Sequence, residues 1–121
     1  MQTLIVDDQA AMRSALELLF ELHGIATLSA SQPEEALALI RSENIGVVIQ
    51  DMNFAEGETA GRGGQTLFRA IRTLDPELPV LLMTAWTSLE MAVELMREGA
   101  ADYFAKPWND DKLLTTVKNL L

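Results

Sequence analysis

The chain has 121 residues, 49% hydrophobic and 22% charged, a composition that suits one soluble globular domain with its own core and excludes a disordered tail. Nine basic against eighteen acidic residues leave a net charge of -9, so a phosphate backbone is repelled and direct nucleic-acid binding is not expected. Cysteine is absent and His23 is the sole histidine, which excludes disulfide frameworks and a zinc site of the usual composition. With no apolar run of about 18 residues and no basic-then-apolar leader, the reading is a cytoplasmic protein without a membrane partner.

Leu4-Ile5-Val6 is an apolar run that ends in Asp7-Asp8, and Thr3 to Val6 is expected as the first strand. From Gln9 to Leu22, apolar residues recur at Met12, Ala15, Leu16, Leu19 and Phe20, one face of a helix that Gly24 closes. Ile25 to Ser29 reads as a second strand, and Ser31-Gln32-Pro33-Glu34 as the start of a helix with Ala36, Leu37 and Ile40 on its apolar face. Val47-Val48-Ile49-Gln50-Asp51 is the central strand, a run of the kind buried on both faces that delivers a carboxylate at its end. Residues 54–64 then hold Gly57, Gly61, Gly63 and Gly64, four of the chain's seven glycines, and so long a loop in a small domain signals function or motion.

Leu67, Phe68, Ile71 and Leu74 mark a third helix, and Pro76 and Pro79 bracket the turn into the strand Val80 to Met83, which delivers Thr84. Thr87-Ser88-Leu89-Glu90 is a capping box, followed by Ala92, Val93 and Met96 on a fourth helical face that Gly99 stops. Tyr103 to Ala105 delivers Lys106, and a last helix from about Asn109 carries Leu113, Leu114, Val117, Leu120 and Leu121. Residues 1–121 are thus expected to form one α/β domain of five strand-helix units.

Strands alternating with helices imply a doubly wound parallel sheet with every strand ending at one edge, so Asp7, Asp8, Asp51, Thr84 and Lys106 converge there. Three crowded carboxylates repel one another unless a cation joins them or their pKa values rise. An all-oxygen set suits Mg²⁺, with Asp8 and Asp51 as direct ligands, Asp7 acting through water and the backbone carbonyl of Asn53 adding an oxygen. The acidic pair also suits a helix start, Asp8 capping while Asp7 faces the cleft. Lys106 brings a point charge and Thr84 a hydroxyl donor. Together they neutralise the peripheral oxygens of a phosphoryl group in transfer to a carboxylate nucleophile, Asp51.

Asp7-Asp8, Asp51, Thr84-Ala85 and Asp102-Tyr103-Phe104-Ala105-Lys106-Pro107, in that order and spacing, resemble the receiver domain of bacterial two-component response regulators along the whole chain. The resemblance implies a CheY-like, flavodoxin-like (βα)5 sheet of order 2-1-3-4-5. It implies a phosphoryl group taken by Asp51 from a phosphohistidine of a sensor histidine kinase with Mg²⁺ and later lost to water, so that the chain is not an enzyme beyond its own phosphorylation and dephosphorylation. Thr84 and Tyr103 take the switch roles, Pro107 follows a cis peptide, and the face of the fourth helix, fifth strand and fifth helix serves a homodimer. Ala85 leaves a path open to Asp51, Trp86 stands where it shields the acyl phosphate from water, and Trp108 follows Lys106-Pro107.

Two features depart from the family pattern: Ala55 stands in the place of a proline, and Gly64-Gln65-Thr66-Leu67, the Gly-led helix start, falls about five residues late. Asp51-Met52-Asn53-Phe54 and the long loop are similar to receivers of NtrC-type sigma-54-dependent activators, which implies a transcriptional output through domains that this chain does not contain. The apolar stop at Leu120-Leu121 is that expected of an excised domain. Haloacid-dehalogenase-type phosphatases use the same residue types, but their nucleophile ends the first strand in Asp-x-Asp, whereas Asp51 ends the third and Asn53 is not an acid. A receiver-like scaffold that works without phosphorylation is the other alternative, left open by the loop.

Overall fold

The computed structural model describes residues 1–52, 62–84 and 89–121. Among them five strands and five helices alternate: β1 (Gln2–Val6), α1 (Ala10–Leu22), β2 (Thr27–Ala30), α2 (Pro33–Ser42), β3 (Ile45–Asp51), α3 (Arg62–Leu74), β4 (Val80–Thr84), α4 (Leu89–Arg97), β5 (Asp102–Ala105) and α5 (Asp110–Leu120). All strand pairs are parallel, in the order β2-β1-β3-β4-β5. This is the expected flavodoxin-like sheet.

Side chains on the strands alternate between two cores, which is why the strand sequences are apolar throughout. Leu4, Val6, Val48, Val80 and Leu82 pack with residues of α2, α3 and α4, including Ala36, Phe68 and Leu95. Ile5, Val47, Ile49, Leu81, Met83 and Phe104 pack with Leu16 and Phe20 of α1 and with Leu113 and Val117 of α5. Among the described residues no helix is long and apolar enough to cross a membrane.

Two helix ends follow glycine chemistry. Gly24 has φ +73° and donates to the Glu21 carbonyl, while Ile25 N–H donates to the Phe20 carbonyl, the paired bonds of a Schellman turn. Ile25 is therefore consumed by the turn, and β2 begins at Thr27 instead of at Ile25 as its sequence suggests. Gly99, at φ +110°, closes α4 by the equivalent pair, Gly99 to Met96 and Ala100 to Leu95. Thr87 and Ser88 of the expected capping box at the start of α4 lie outside the described residues.

Helix α3 begins at Arg62, so Gly64 lies in its first turn instead of leading it. The reason for glycine there is steric. A Cβ at position 64 would stand 2.5 Å from Met52 Cα and 2.8 Å from the Met52 carbonyl oxygen, because the helix start presses on the end of β3.

Arg72 ties the far end of α3 to two loops. Its Nη1 donates to the Asp75 carbonyl (3.0 Å) and its Nη2 to the Leu78 carbonyl (2.7 Å), with Gly99 O at 3.4 Å, while the guanidinium lies 5.1 Å from the Phe68 ring centroid. Arg72→Ala is expected to cost about 2 kcal/mol, since charge-assisted bonds to partly buried carbonyls are lost together. A urea midpoint that stays at the wild-type value would refute that role.

Candidate functional site

Strand parity decides which charged groups meet. Asp7, Asp51 and Lys106 each stand two residues beyond a side chain of the core beneath α1 and α5, namely Ile5, Ile49 and Phe104. They emerge together at the carboxyl edge of the three strands β1, β3 and β5. Lys106 Nζ lies 3.0 Å from Asp51 Oδ1 and 3.6 Å from Asp7 Oδ2. Both carboxylates are nearly inaccessible, at 3% exposure, while the lysine is 23% exposed and reaches in from the rim.

Asp7 has a second task. Its Oδ1 accepts the Gln9 N–H at 2.9 Å, and its backbone carbonyl accepts from Arg13 Nη1 at 2.7 Å, which fixes the entry into α1. The expectation that Asp8 caps α1 is corrected here: the N-cap is Gln9, without a side-chain cap bond, and Asp8 is exposed. The Asp7 carboxylate, nearer the strand, takes the Gln9 amide instead. Burial pushes the Asp7 carboxyl above its ordinary value; the Gln9 bond and the Lys106 charge pull the other way, and Asp8 adds to the rise.

One carboxylate oxygen from each of Asp7, Asp8 and Asp51 lies within 4.8 Å of the others. This donor set is all oxygen and strongly negative, with one lysine against three carboxylates, and it fits a hard divalent cation such as Mg²⁺. Asn53, Ala85 and Trp86, which the sequence assigns to the site, lie outside the described residues, as does the segment 53–61 that holds most of the glycine-rich loop.

Thr84 stands on the other face of the sheet from Asp51, two residues beyond Leu82 of the α2–α4 core. Its carbonyl accepts the Lys106 N–H at 2.9 Å, so the strand pairing holds Thr84 and Lys106 at one level. The Thr84 side chain is fully buried, and its Oγ1 has no hydrogen-bond partner among the described residues. Tyr103, in register with Leu82, is half-buried against that same core, and the Lys106-Pro107 peptide is cis.

Sequence reasoning missed two residues. Gln50, fully buried, donates from Nε2 to the Gly64 carbonyl at 2.8 Å and so ties the residue before Asp51 to the start of α3; a polar residue inside an apolar run was its signal. Met12, read only as part of a helical face, lines a cleft of about 690 Å³ with Asp51, Lys106, Pro107, Trp108 and Asp110. No periodicity announces that, because it depends on how α1 sits beside the loop into α5.

An open parallel α/β sheet of this order, with an acidic cluster and a lysine at the carboxyl edge, defines a class: doubly wound α/β folds, in which ligands bind at the strand ends. Within that class the chain belongs to the response regulator receiver domain family, whose model matches residues 3–118. It is 40% identical over 116 residues to the response regulator protein FleR of Pseudomonas aeruginosa, covering 96% of this chain and 24% of that protein. It is 35% identical over 114 residues to the C4-dicarboxylate transport transcriptional regulatory protein DctD of Rhizobium meliloti, covering 94% and 24%. The receiver domain of NtrX from Brucella abortus superposes with a TM-score of 0.88 at 30% identity, covering 99% of this chain and 98% of that one. The chain spans about a quarter of the length of these two curated relatives.

Proposed function

We propose that the chain is a phosphorylation-controlled switch of a two-component system, in which Asp51 accepts a phosphoryl group from a sensor histidine kinase. The observation that carries the reading is the Lys106 ammonium 3.0 Å from Asp51 and 3.6 Å from Asp7, with Asp8 completing an acidic cluster around the same point. Asp51 Oδ attacks phosphorus, an O–P bond forms, the bond from phosphorus to the donor nitrogen breaks, and the acyl phosphate is later hydrolysed. Lys106 neutralises a peripheral oxygen as charge moves onto the phosphoryl group. The buried Thr84 hydroxyl, without a hydrogen-bond partner among the described residues, moves toward the phosphoryl group to donate to another such oxygen, and Tyr103, on the same face, follows it inward as the second switch residue.

Mg²⁺, held by Asp8, Asp51 and the backbone carbonyl of Asn53 with Asp7 acting through water, would supply positive charge to the phosphoryl oxygens. Ala85 and Trp86 control access to the site. The output is transcriptional, as the name of the transcriptional regulatory protein DctD suggests for a receiver joined to further domains, with a homodimer formed through α4, β5 and α5 and a cytoplasmic location. Residues 1–121 act as one receiver domain, and the catalysis is confined to the chain's own phosphorylation and dephosphorylation.

Intact-protein mass after incubation with acetyl phosphate is the test. One phosphoryl adduct is expected with Mg²⁺, absent with EDTA and removed by hydroxylamine. No adduct under any condition would overturn the reading in favour of a phosphate-independent scaffold.

A further inference from the structure

The cleft over Asp51 is larger than a phosphoryl group requires. Its volume of about 690 Å³ falls inside the roughly 300–1,000 Å³ of small-molecule sites, and its outer wall is apolar and aromatic. Met12 of α1 and Pro107 and Trp108 of the loop into α5 line it. The indole is oriented by its own polar edge, since Trp108 Nε1 donates to Asp110 Oδ1 at 2.9 Å, and it packs against the core beneath α1 and α5. Asp110, exposed at the first turn of α5, adds a carboxylate to the same wall. The cleft thus has two chemically different ends: Asp51 at the floor with Lys106 reaching in from the rim, and a π-face with a nearby anion at the mouth.

We infer that Trp108, with Asp110, is a specificity-determining pair that selects phosphoryl donors whose leaving group is a flat, protonated heteroaromatic ring over donors with an acyl leaving group. The inference rests on the proposed role of Asp51. In-line attack by Asp51 directs the leaving group away from the floor of the cleft and toward its mouth. An N-phosphorylated imidazole that carries a proton on its distal nitrogen is a planar cation there. Tryptophan is the best aromatic partner for such a ring, and the Asp110 carboxylate favours its charge. In the reaction the O–P bond to Asp51 forms as the P–N bond breaks. The electron pair stays on the ring nitrogen, and the distal proton lets the ring depart as neutral imidazole. An acyl phosphate has neither a π-face nor a positive charge to offer the wall.

The test measures initial rates of adduct formation by intact mass, with Mg²⁺, for monophosphoimidazole and for acetyl phosphate at equal concentration, and takes their ratio. Trp108→Ala is expected to lower the ratio about three- to ten-fold, the size of one stacking or cation–π contact at a partly exposed site. Trp108→Phe, which keeps a π-face, should retain most of the ratio. Asp110→Asn, at an exposed position that leaves folding intact, should lower it about two-fold by removal of one nearby charge. A ratio unchanged in Trp108→Ala and in Asp110→Asn overturns the selectivity while leaving Asp51 as acceptor. Absence of adduct from both donors in the unaltered protein overturns the receiver reading and this inference with it.

Discussion

Asp51→Asn is expected to abolish phosphoryl incorporation while leaving the fold in place. The amide keeps an oxygen toward Lys106, 3.0 Å away in the unaltered chain, but it lacks the charge and the lone-pair reactivity to attack phosphorus. The expected result is no mass adduct at acetyl phosphate concentrations that label the unaltered protein fully. The loss should exceed about a thousand-fold, because removal of a nucleophile eliminates the covalent path instead of slowing it. Asp8, the nearest exposed carboxylate of the cluster, is the control. An adduct that persists in Asp51→Asn and maps to Asp8 would overturn the assignment of Asp51.

The second large effect concerns the acidic cluster and is read by thermal denaturation. Binding of Mg²⁺ at 100 times its Kd is expected to add about 2.7 kcal/mol, or about 10 °C of Tm for a chain of this length. Asp8→Asn should remove most of that shift, and a full shift in the variant would place the ion elsewhere.

Without metal, Asp7 works in the opposite sense. Its folded-state pKa is raised above an ordinary value near 3.8, chiefly by burial. Such a group favours the folded state fully below the ordinary pKa, and that contribution is lost as pH rises through the raised one. At neutral pH the ionised Asp7 therefore costs stability. Asp7→Asn, which keeps an acceptor for the Gln9 amide, is expected to melt a few degrees higher in EDTA at pH 7, with the gain shrinking as pH falls toward 4. A lower melting point at pH 7 would show that the pairing with Lys106 outweighs burial.

The parallel sheet and its two-sided core were legible because buried parallel strands have an unmistakable composition, whereas the strand order was implied by the family resemblance. Runs such as Val47-Val48-Ile49 and Val80-Leu81-Leu82-Met83, separated by amphipathic helices, leave few arrangements open. Errors fell where a backbone turn competed with a propensity. Ile25 is β-branched and reads as strand, yet the Schellman turn at Gly24 takes its N–H; Asp8 reads as a cap, yet Asp7 reaches the amide first. Gly64 reads as a helix start, yet it sits inside the first turn because its hydrogen meets Met52.

The convergence of Asp7, Asp51 and Lys106 at one edge of the sheet was thus legible in the sequence. A carboxylate, a lysine and a threonine at the ends of apolar runs can only gather at one edge once the strands lie parallel. What the tertiary structure decided is their sidedness and surroundings. Period-two alternation puts Asp7, Asp51 and Lys106 over the core of α1 and α5, and Thr84 and Tyr103 over the other core, but register alone aligns those levels across strands far apart in the chain. The wall of Met12, Trp108 and Asp110 is likewise made by packing between α1 and the loop into α5, separated by nearly the whole sequence. Local patterns encode which residues point inward or outward; only long-range packing determines which of the outward ones face each other across a cleft.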